Sequence, residues 1–307
     1  MRTLHHREHR HLGWDADFPP VAELTPGDTI EVVLQDAFGG QLDEHAGPED
    51  VAALDLDQAN PLTGPITVPD ARPGDTLAIT FEDIEVGARA WTALIPGFGL
   101  LADDFPEPHV IVSSIAADEV AFGSLARLPV RAFLGTIGLA PAAPGLHSVI
   151  PPRRVGGNMD CRDVRAGATL LLPVEVEGGL LSAGDPHGGQ GDGEVCGTAV
   201  ETTARARLRV DLRPGWVIDQ PQLELPPEPA AERREGAHRR LTMGVGPDLL
   251  TGARDATRAM IELLGRHGLA PADAYALCSV AGHLRLLEVV DAPNWVVGLE
   301  LDLDVLA

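Results

Sequence analysis

The chain has 307 residues and a formal charge of −23, with 46 acidic against 23 basic side chains, and 44% of it is hydrophobic. This much acid repels phosphate backbones and anionic headgroups, arguing against nucleic acid and membrane surfaces as partners, while the ordinary apolar content supports a globular fold. Every basic residue is an arginine, so Schiff-base chemistry, a phosphate-loop lysine and the Ser–Lys or Glu–Lys–Cys machinery of many amide hydrolases are excluded.

In chain order, the segment from Met1 to Trp14 is polar, carries His5, His6, His9 and His11, and lacks the apolar stretch of a secretory signal. It reads as a frayed, solvated terminus rather than a metal site. Pro26-Gly27-Asp28-Thr29 then leads into Ile30, Val32 and Leu34 and ends at Asp36; Pro73-Gly74-Asp75-Thr76 leads into Leu77, Ile79 and Phe81 and ends at Asp83. Pro-Gly suits the centre of a type II turn, and alternate apolar residues suit a half-buried strand. Gly167-Ala168-Thr169, running into Leu170, Leu172, Val174 and Val176, is a looser third copy. Pro141 to Pro152 and Pro221 to Pro229 read as loops or linkers. Helical spacing appears between Asp248 and Gly268, a second helix opens at Pro271 through Leu277, and Leu284 to Leu306 alternates like strand. With 34 glycines and 26 prolines, these elements predict a mainly β fold. A β-sandwich or barrel-like body spans residues 1–225, and a small α+β module packed on it spans 226–307.

Three cysteines (Cys161, Cys196, Cys278) form no CxxC pair and are odd in number, so a disulfide framework is not expected and a reducing cytoplasm fits. No run of 18 apolar residues offers a membrane span.

The chemistry concentrates between Asn158 and Glu201. Gly156-Gly157-Asn158-Met159-Asp160 is followed, after a strand, by Ser182-Ala183-Gly184-Asp185-Pro186-His187-Gly188-Gly189-Gln190-Gly191-Asp192-Gly193-Glu194. Small residues let backbone approach a ligand closely, and the remainder are oxygen and nitrogen donors. Asp185 and His187, two apart, leave an extended chain on one face, as ligands of Zn²⁺ or a similar divalent ion would. Asp160 closes such a site from the preceding loop, and a glycine-rich bend folds Glu194 back towards it. Asp36, with glycines following it, is a further candidate ligand, although both Asp36 and Asp83 also suit the capping of their own turns. His147 lies just ahead of the Asn158 loop and is a weaker candidate.

The Gly-Gly-Asn-Met-Asp run (156–160), the Leu-Leu-Pro-Val strand (171–174) and Gly-Asp-Pro-His-Gly-Gly-Gln-Gly-Asp-Gly-Glu-Val (184–195), with Glu201 beyond them, resemble the acetamidase/formamidase family. Pro-Leu-Thr-Gly-Pro-Ile-Thr-Val (61–68), Pro-Gly-Phe-Gly-Leu-Leu (96–101), Gly-Thr-Ile-Gly-Leu-Ala-Pro (135–141) and Asp-Ala-Tyr-Ala-Leu-Cys-Ser-Val-Ala (273–281) extend the likeness over nearly the whole chain. The resemblance implies a mostly β fold with a small α+β region, a bound divalent metal, a homo-oligomer, and hydrolysis of formamide- or acetamide-like substrates. It points to Asp160, Asp185, His187 and Glu194 as the centre. One departure is the short segment Glu85 to Thr92, which is poor in the aromatic residues expected there and leaves the acyl group accepted open.

The expected reaction is metal-assisted hydrolysis of a short primary amide to carboxylate and ammonia. The ion is held by Asp185, His187 and Asp160, with zinc ahead of calcium or manganese. Glu194, with Asp160, carries the proton from water to the leaving nitrogen. Asn158 and Gln190 match the donors and acceptors of a primary amide, or else brace their loops. Two alternatives remain: a cysteine nucleophile at Cys161 or Cys196 beside His187, and a non-enzymatic β-sandwich binding module with a closed structural metal.

Overall fold

The computed structural model of the protein describes residues 2–226 and 238–306. Strand accounts for 41% of the chain and helix for 15%, so the architecture is mainly β, as the turn-and-strand repeats predict.

Those repeats fold alike for a local reason. Gly27 (φ +95°) and Gly74 (φ +94°) take up the left-handed backbone that the turn requires. In each turn the following aspartate reaches back, Asp28 Oδ2 accepting from Thr25 N (2.8 Å) and Asp75 Oδ2 from Arg72 N (2.9 Å). The strands that follow are Asp28–Leu34 and Thr76–Leu94. The second does not stop at Asp83, which lies inside it. It runs for 19 residues, because pairing with Glu201–Arg213 continues through two irregularities of register as far as Trp91 opposite Glu201. Glu201–Arg213 also pairs with Asp28–Leu34 on its other edge, Ala204 opposite Leu34 through Val210 opposite Asp28. The third copy gives the strand Thr169–Pro173, shorter than the alternation to Val176 suggests.

Three expectations are corrected. Residues Arg2–His5 are not frayed but form a strand parallel to Ile30–Val33. Pro221 to Pro226 is not simply linker: Gln222–Glu224 is a strand paired with Thr169–Leu171 on one side and Arg240–Thr242 on the other. Residues 227–229 of that proline-rich stretch lie outside the described residues. The second helix continues past Leu277 to Ala281.

The last part of the chain contains the strand Arg239–Gly246, the helices Leu249–Arg266 and Pro271–Ala281, and the strands His283–Glu288 and Trp295–Asp302. Asp248 caps the first helix by accepting from Thr251 N (2.8 Å). The main hydrophobic cluster joins Ile30, Ile79, Leu134, Leu172, Leu181 and Leu208 to Leu241, Leu287 and Val296 from these last strands. Each such fully buried side chain contributes about 1.5–3 kcal/mol.

This frame sets the position of one strand, Leu181–His187, every residue of which is buried. It lies antiparallel between Phe133–Gly138 and Leu62–Thr67, and its final residue pairs with Glu201 at the start of the next strand. The neighbour Phe133–Gly138 in turn pairs Thr136 with Asn158. Asn158, Asp185, His187 and Glu201 are thereby gathered at one end of a rigid sheet.

Candidate active site

His187 is fully buried and stands at the centre of the cluster. Its Nδ1 lies 3.0 Å from Gln190 Oε1, and the Gln190 amide donates to Asp160 O (2.7 Å). Because Gln190 can only accept at that oxygen, Nδ1 carries the proton and Nε2 is left to face acidic groups. Nε2 sits 3.1 Å from Asp185 Oδ1 and 3.2 Å from Glu201 Oε2. One ring nitrogen cannot bond both oxygens, and Glu201 Oε2 has no hydrogen-bond donor. The other Glu201 oxygen accepts from Ala199 N (2.7 Å).

Two sets of donor atoms converge here, each within 4.8 Å: Asp160, His187 and Glu194, and Asp185, His187 and Glu201. Neither oxygen of Asp160 has a hydrogen-bond donor although the residue is buried. Behind Asp160, the end of the strand His283–Glu288 and the segment after it add two more buried acids. Glu288 Oε1 accepts from the backbone of Val290 and Asp291 (2.6 Å for Asp291), and Asp291 Oδ2 accepts from Asn158 Nδ2 (2.6 Å).

Six buried carboxylates thus surround one imidazole. Burial, then the charge of Asp185, pushes Asp160 up to about 6. Burial pushes Glu201 up to about 7 and Glu288 to about 8. Glu194 and Asp291 are raised well above the ordinary range by burial and by Asp160. Burial opposes charge on His187, but Glu201 and Asp185 outweigh it and hold the imidazole well above its usual value. Such a cluster is short of positive charge. Donor-free carboxylate oxygens and one imidazole nitrogen are the ligand chemistry of Zn²⁺ or Mn²⁺, while Ca²⁺ favours an all-oxygen shell. The residues present therefore fit a divalent ion.

Backbone strain is concentrated in the same place. Of six non-glycine residues with positive φ among the described residues, three are Asp160 (41°), Asp185 (53°) and Glu194 (44°). Such conformations cost on the order of 1–3 kcal/mol each and persist only where the surroundings enforce them. Gly135 shows how. It stands between the pairs Leu134–Pro186 and Thr136–Gly184, and its carbonyl accepts from Met159 N (3.0 Å) and Asp160 N (3.2 Å). A Cβ on Gly135 would lie 2.7 Å from Asp185 Oδ2 and 2.9 Å from His187 Cε1, and closer still to Asp160 Oδ1. Room for the acidic cluster depends on that missing side chain.

The candidates named from sequence fall into different places. Asp160, Asp185, His187 and Glu194 come together. Asn158 is buried among protein partners: its Oδ1 accepts from Asn60 Nδ2 (3.0 Å) and from Thr136 Oγ1, and its Nδ2 donates to Asp291. Gln190 is likewise engaged at both amide atoms. Asp36 caps its own loop, Oδ1 accepting from Phe38 N (3.0 Å) and Gly40 N (3.1 Å), and lies outside both sets of converging donors. His147 pairs with Trp14 and bonds the Ala143 carbonyl (2.8 Å), away from the cluster. Sequence reasoning missed Gly135, Glu288 and Asp291, and gave Glu201 no role. A signal was present for the last acids: Glu288 and Asp291 interrupt the apolar run Leu286-Leu287-Glu288-Val289-Val290-Asp291, where charge is seldom placed without purpose.

A cleft of about 380 Å³ opens beside the cluster. Among the six carboxylates only Glu194 lines it, with Gln190 next to it and Val120, Phe122, Leu128 and Val200 on its walls.

Residues 2–149 and 143–307 match the model of the Acetamidase/Formamidase family, and the chain belongs to that family. It is 31% identical over 260 residues to a formamidase of Methylophilus methylotrophus, covering 66% of this chain and 63% of that protein. It is 27% identical over 271 residues to an acetamidase of Mycolicibacterium smegmatis, covering 67% and 66%. The match thus spans just under two thirds of the length of each of these relatives. Among solved structures, an acetamidase from Bacillus halodurans superposes with a TM-score of 0.88 at 30% identity, covering 99% of this chain and 98% of that one. An acetamidase from Yersinia enterocolitica gives 0.88 at 30%, covering 100% and 93%.

Proposed function

We propose that this protein hydrolyses the carbon–nitrogen bond of small primary amides, using a divalent cation held by Asp185, His187 and Glu201 with Asp160 beside them, and Glu194 left for proton transfer. The observation that carries the reading is that Glu194 alone joins the buried acidic cluster to the cleft. Family membership supports it. The overall reaction is RCONH₂ + H₂O → RCOO⁻ + NH₄⁺. Zinc is the first choice of ion.

When bound, the ion supplies Lewis acidity, which favours negative charge developing on oxygen and lowers the pKa of water. The chain's own groups do the rest. Glu194, with its raised pKa and its place on the cleft, takes a proton from water and returns it to the departing nitrogen. Gln190 holds the His187 tautomer, and through the Asp160 carbonyl it ties the two loops together. Asn158 braces Asp291 against Asn60 and Thr136 rather than touching substrate. Asp160, which converges with His187 and Glu194, is the second acid of that proton path.

The cysteine alternative is weaker. Cys161 is fully buried, and burial pushes its thiol far up, which disfavours the thiolate. Cys196 donates to the Thr198 carbonyl (3.3 Å). The binding-module alternative has no counterpart for a raised-pKa acid at the end of a cleft.

We infer a cytoplasmic homo-oligomer. Leu100, Leu101, Phe105 and Leu125 are more than half exposed, as suits association. No helix among the described residues is long and apolar enough to cross a membrane.

Ammonia release from formamide, acetamide and propionamide, with and without chelator, tests the reading. Turnover that disappears on chelation and returns with Zn²⁺ or Mn²⁺ supports it; no turnover of any amide by metal-loaded protein rejects it.

A further inference from the structure

The cleft beside Glu194 is larger than a short amide requires. At about 380 Å³ it lies within the range of about 300–1,000 Å³ typical of pockets for drug-sized ligands. Acetamide, with only four heavy atoms, would occupy a small part of it. Its character is also one-sided. Val120 and Phe122 come from the strand Glu119–Phe122, Leu128 and Pro129 from the strand Ala126–Pro129, and Val195 and Val200 from the loop that follows Glu194.

The charged lining residues do not change that character. Asp192 is held by Arg162 (2.9 Å) and Arg285 (2.9 Å), and Arg131 is exposed to solvent. The polar group able to meet an amide, Glu194, lies in the loop beyond His187, while both amide atoms of Gln190 are taken up by His187 and Asp160. An amide entering this cleft would set its CONH₂ against Glu194 and its other substituent against the apolar walls.

We propose that the cleft is the acyl-group subsite and that the preferred substrates are primary amides with bulky apolar acyl chains, branched aliphatic or phenylalkyl, rather than formyl or acetyl. This rests on the amide-hydrolase reading above and extends it. The bond changes are those already written: the C–N bond breaks, a C–O bond to water forms, and the water's protons end on the leaving nitrogen and solvent. The apolar chain takes no part beyond binding. Each methylene that the walls remove from water raises kcat/KM by roughly three- to fourfold.

The experiment compares kcat/KM for acetamide, propionamide, isovaleramide, hexanamide and phenylacetamide in the metal-loaded protein. A rise of at least tenfold from acetamide to the best long amide is expected. Acetamide hydrolysed as well as or better than the long amides would overturn the inference while leaving amide hydrolysis intact. No turnover of any member would reject that reading and the inference with it. The second arm is Leu128→Asp, at a position 39% exposed on a strand whose residues are all exposed, so that folding is preserved. It is expected to lower kcat/KM for the long amides about tenfold more than for acetamide. An equal effect on all substrates, or none on any, would show that the acyl group lies elsewhere.

Discussion

Arg285 grips Asp192 with a two-pronged fork, Nε to Oδ2 at 3.0 Å and Nη2 to Oδ1 at 2.9 Å. Its remaining nitrogen reaches Asp163 (2.7 Å) and Glu300 (2.9 Å). Asp192 is two residues before Glu194 and Asp163 three after Asp160, so one guanidinium fastens both loops that carry the acids. Arg285→Lys keeps the charge but loses the fork. It is expected to lower kcat by about tenfold or more with little change in KM if Glu194 acts, as proposed, on the proton rather than on substrate binding. Arg285→Met should also lose about 1.5–3 kcal/mol of stability, because Asp163, Asp192 and Glu300 lose the partner they share and keep only Arg165, Arg162 and Arg239. Steady-state kinetics and thermal unfolding check both; a Lys variant with unchanged kcat would remove the positioning role.

Gly135→Ala asks for space that does not exist. The new methyl must displace Asp160, Asp185 or His187, so activity should fall by at least about a hundredfold, while the overpacking costs about 1–3 kcal/mol. Circular dichroism should show the β fold kept. Near-normal turnover would mean that the cluster is not the reaction centre.

Gln190→Leu removes the acceptor from His187 Nδ1 and frees the ring to adopt the wrong tautomer. Metal affinity and activity are expected to fall about 10- to 100-fold together. Titration of metal-free protein with Zn²⁺ measures the first and ammonia release the second.

The acidic cluster makes the metal-free protein unusual in its response to pH. Asp160 (about 6), Glu201 (about 7) and Glu288 (about 8) lie above their ordinary values of 3.8 or 4.5, and His187 lies above 6.5. Folded chain therefore binds more protons than unfolded chain in this interval, and stability falls as pH rises from about 5 to about 8. His11, whose pKa is lowered by burial, has the opposite sign and contributes a loss below 6.5. Calorimetry in chelator should show Tm dropping by several degrees across that rise, and saturating Zn²⁺ should flatten the curve. A metal-free Tm that climbs with pH would contradict the proton count.

Replacing Cys161 and Cys196 together by alanine should leave kcat within a factor of about three, because Cys161 is fully buried with its thiol pushed up by burial and Cys196 donates to the Thr198 carbonyl rather than to a base. Loss of activity without loss of metal or of fold would restore the cysteine alternative.

Much of this was readable in the chain before folding, and the reasons differ by element. The two Pro-Gly-Asp-Thr turns announce themselves because proline and glycine fix the dihedrals and alternation marks the strands. The length of Thr76–Leu94 does not, because its register slips twice and Gly87 interrupts the pattern. The strand Gln222–Glu224 hides among prolines and exists only because neighbours on both sides supply its hydrogen bonds. Asp160, Asp185, His187 and Glu194 stand out by donor type and glycine context. Glu288 and Asp291 are about 130 residues from Asp160, and nothing local says that they meet it. The amides of Asn158 and Gln190 were visible as polar groups, but whether they face substrate or protein is decided by Asn60, Thr136 and Asp291 for the first and by His187 and Asp160 for the second.

The left-handed backbone at Asp160, Asp185 and Glu194 limits how this protein can be made more robust. Glycine or asparagine would relax each position, and a screen for heat tolerance would favour those exchanges while discarding an acid of the cluster every time. Heat-resistant variants that keep working must therefore draw their gains from distant surfaces such as the exposed hairpins, and the three strained acids should be the last positions in the chain to drift.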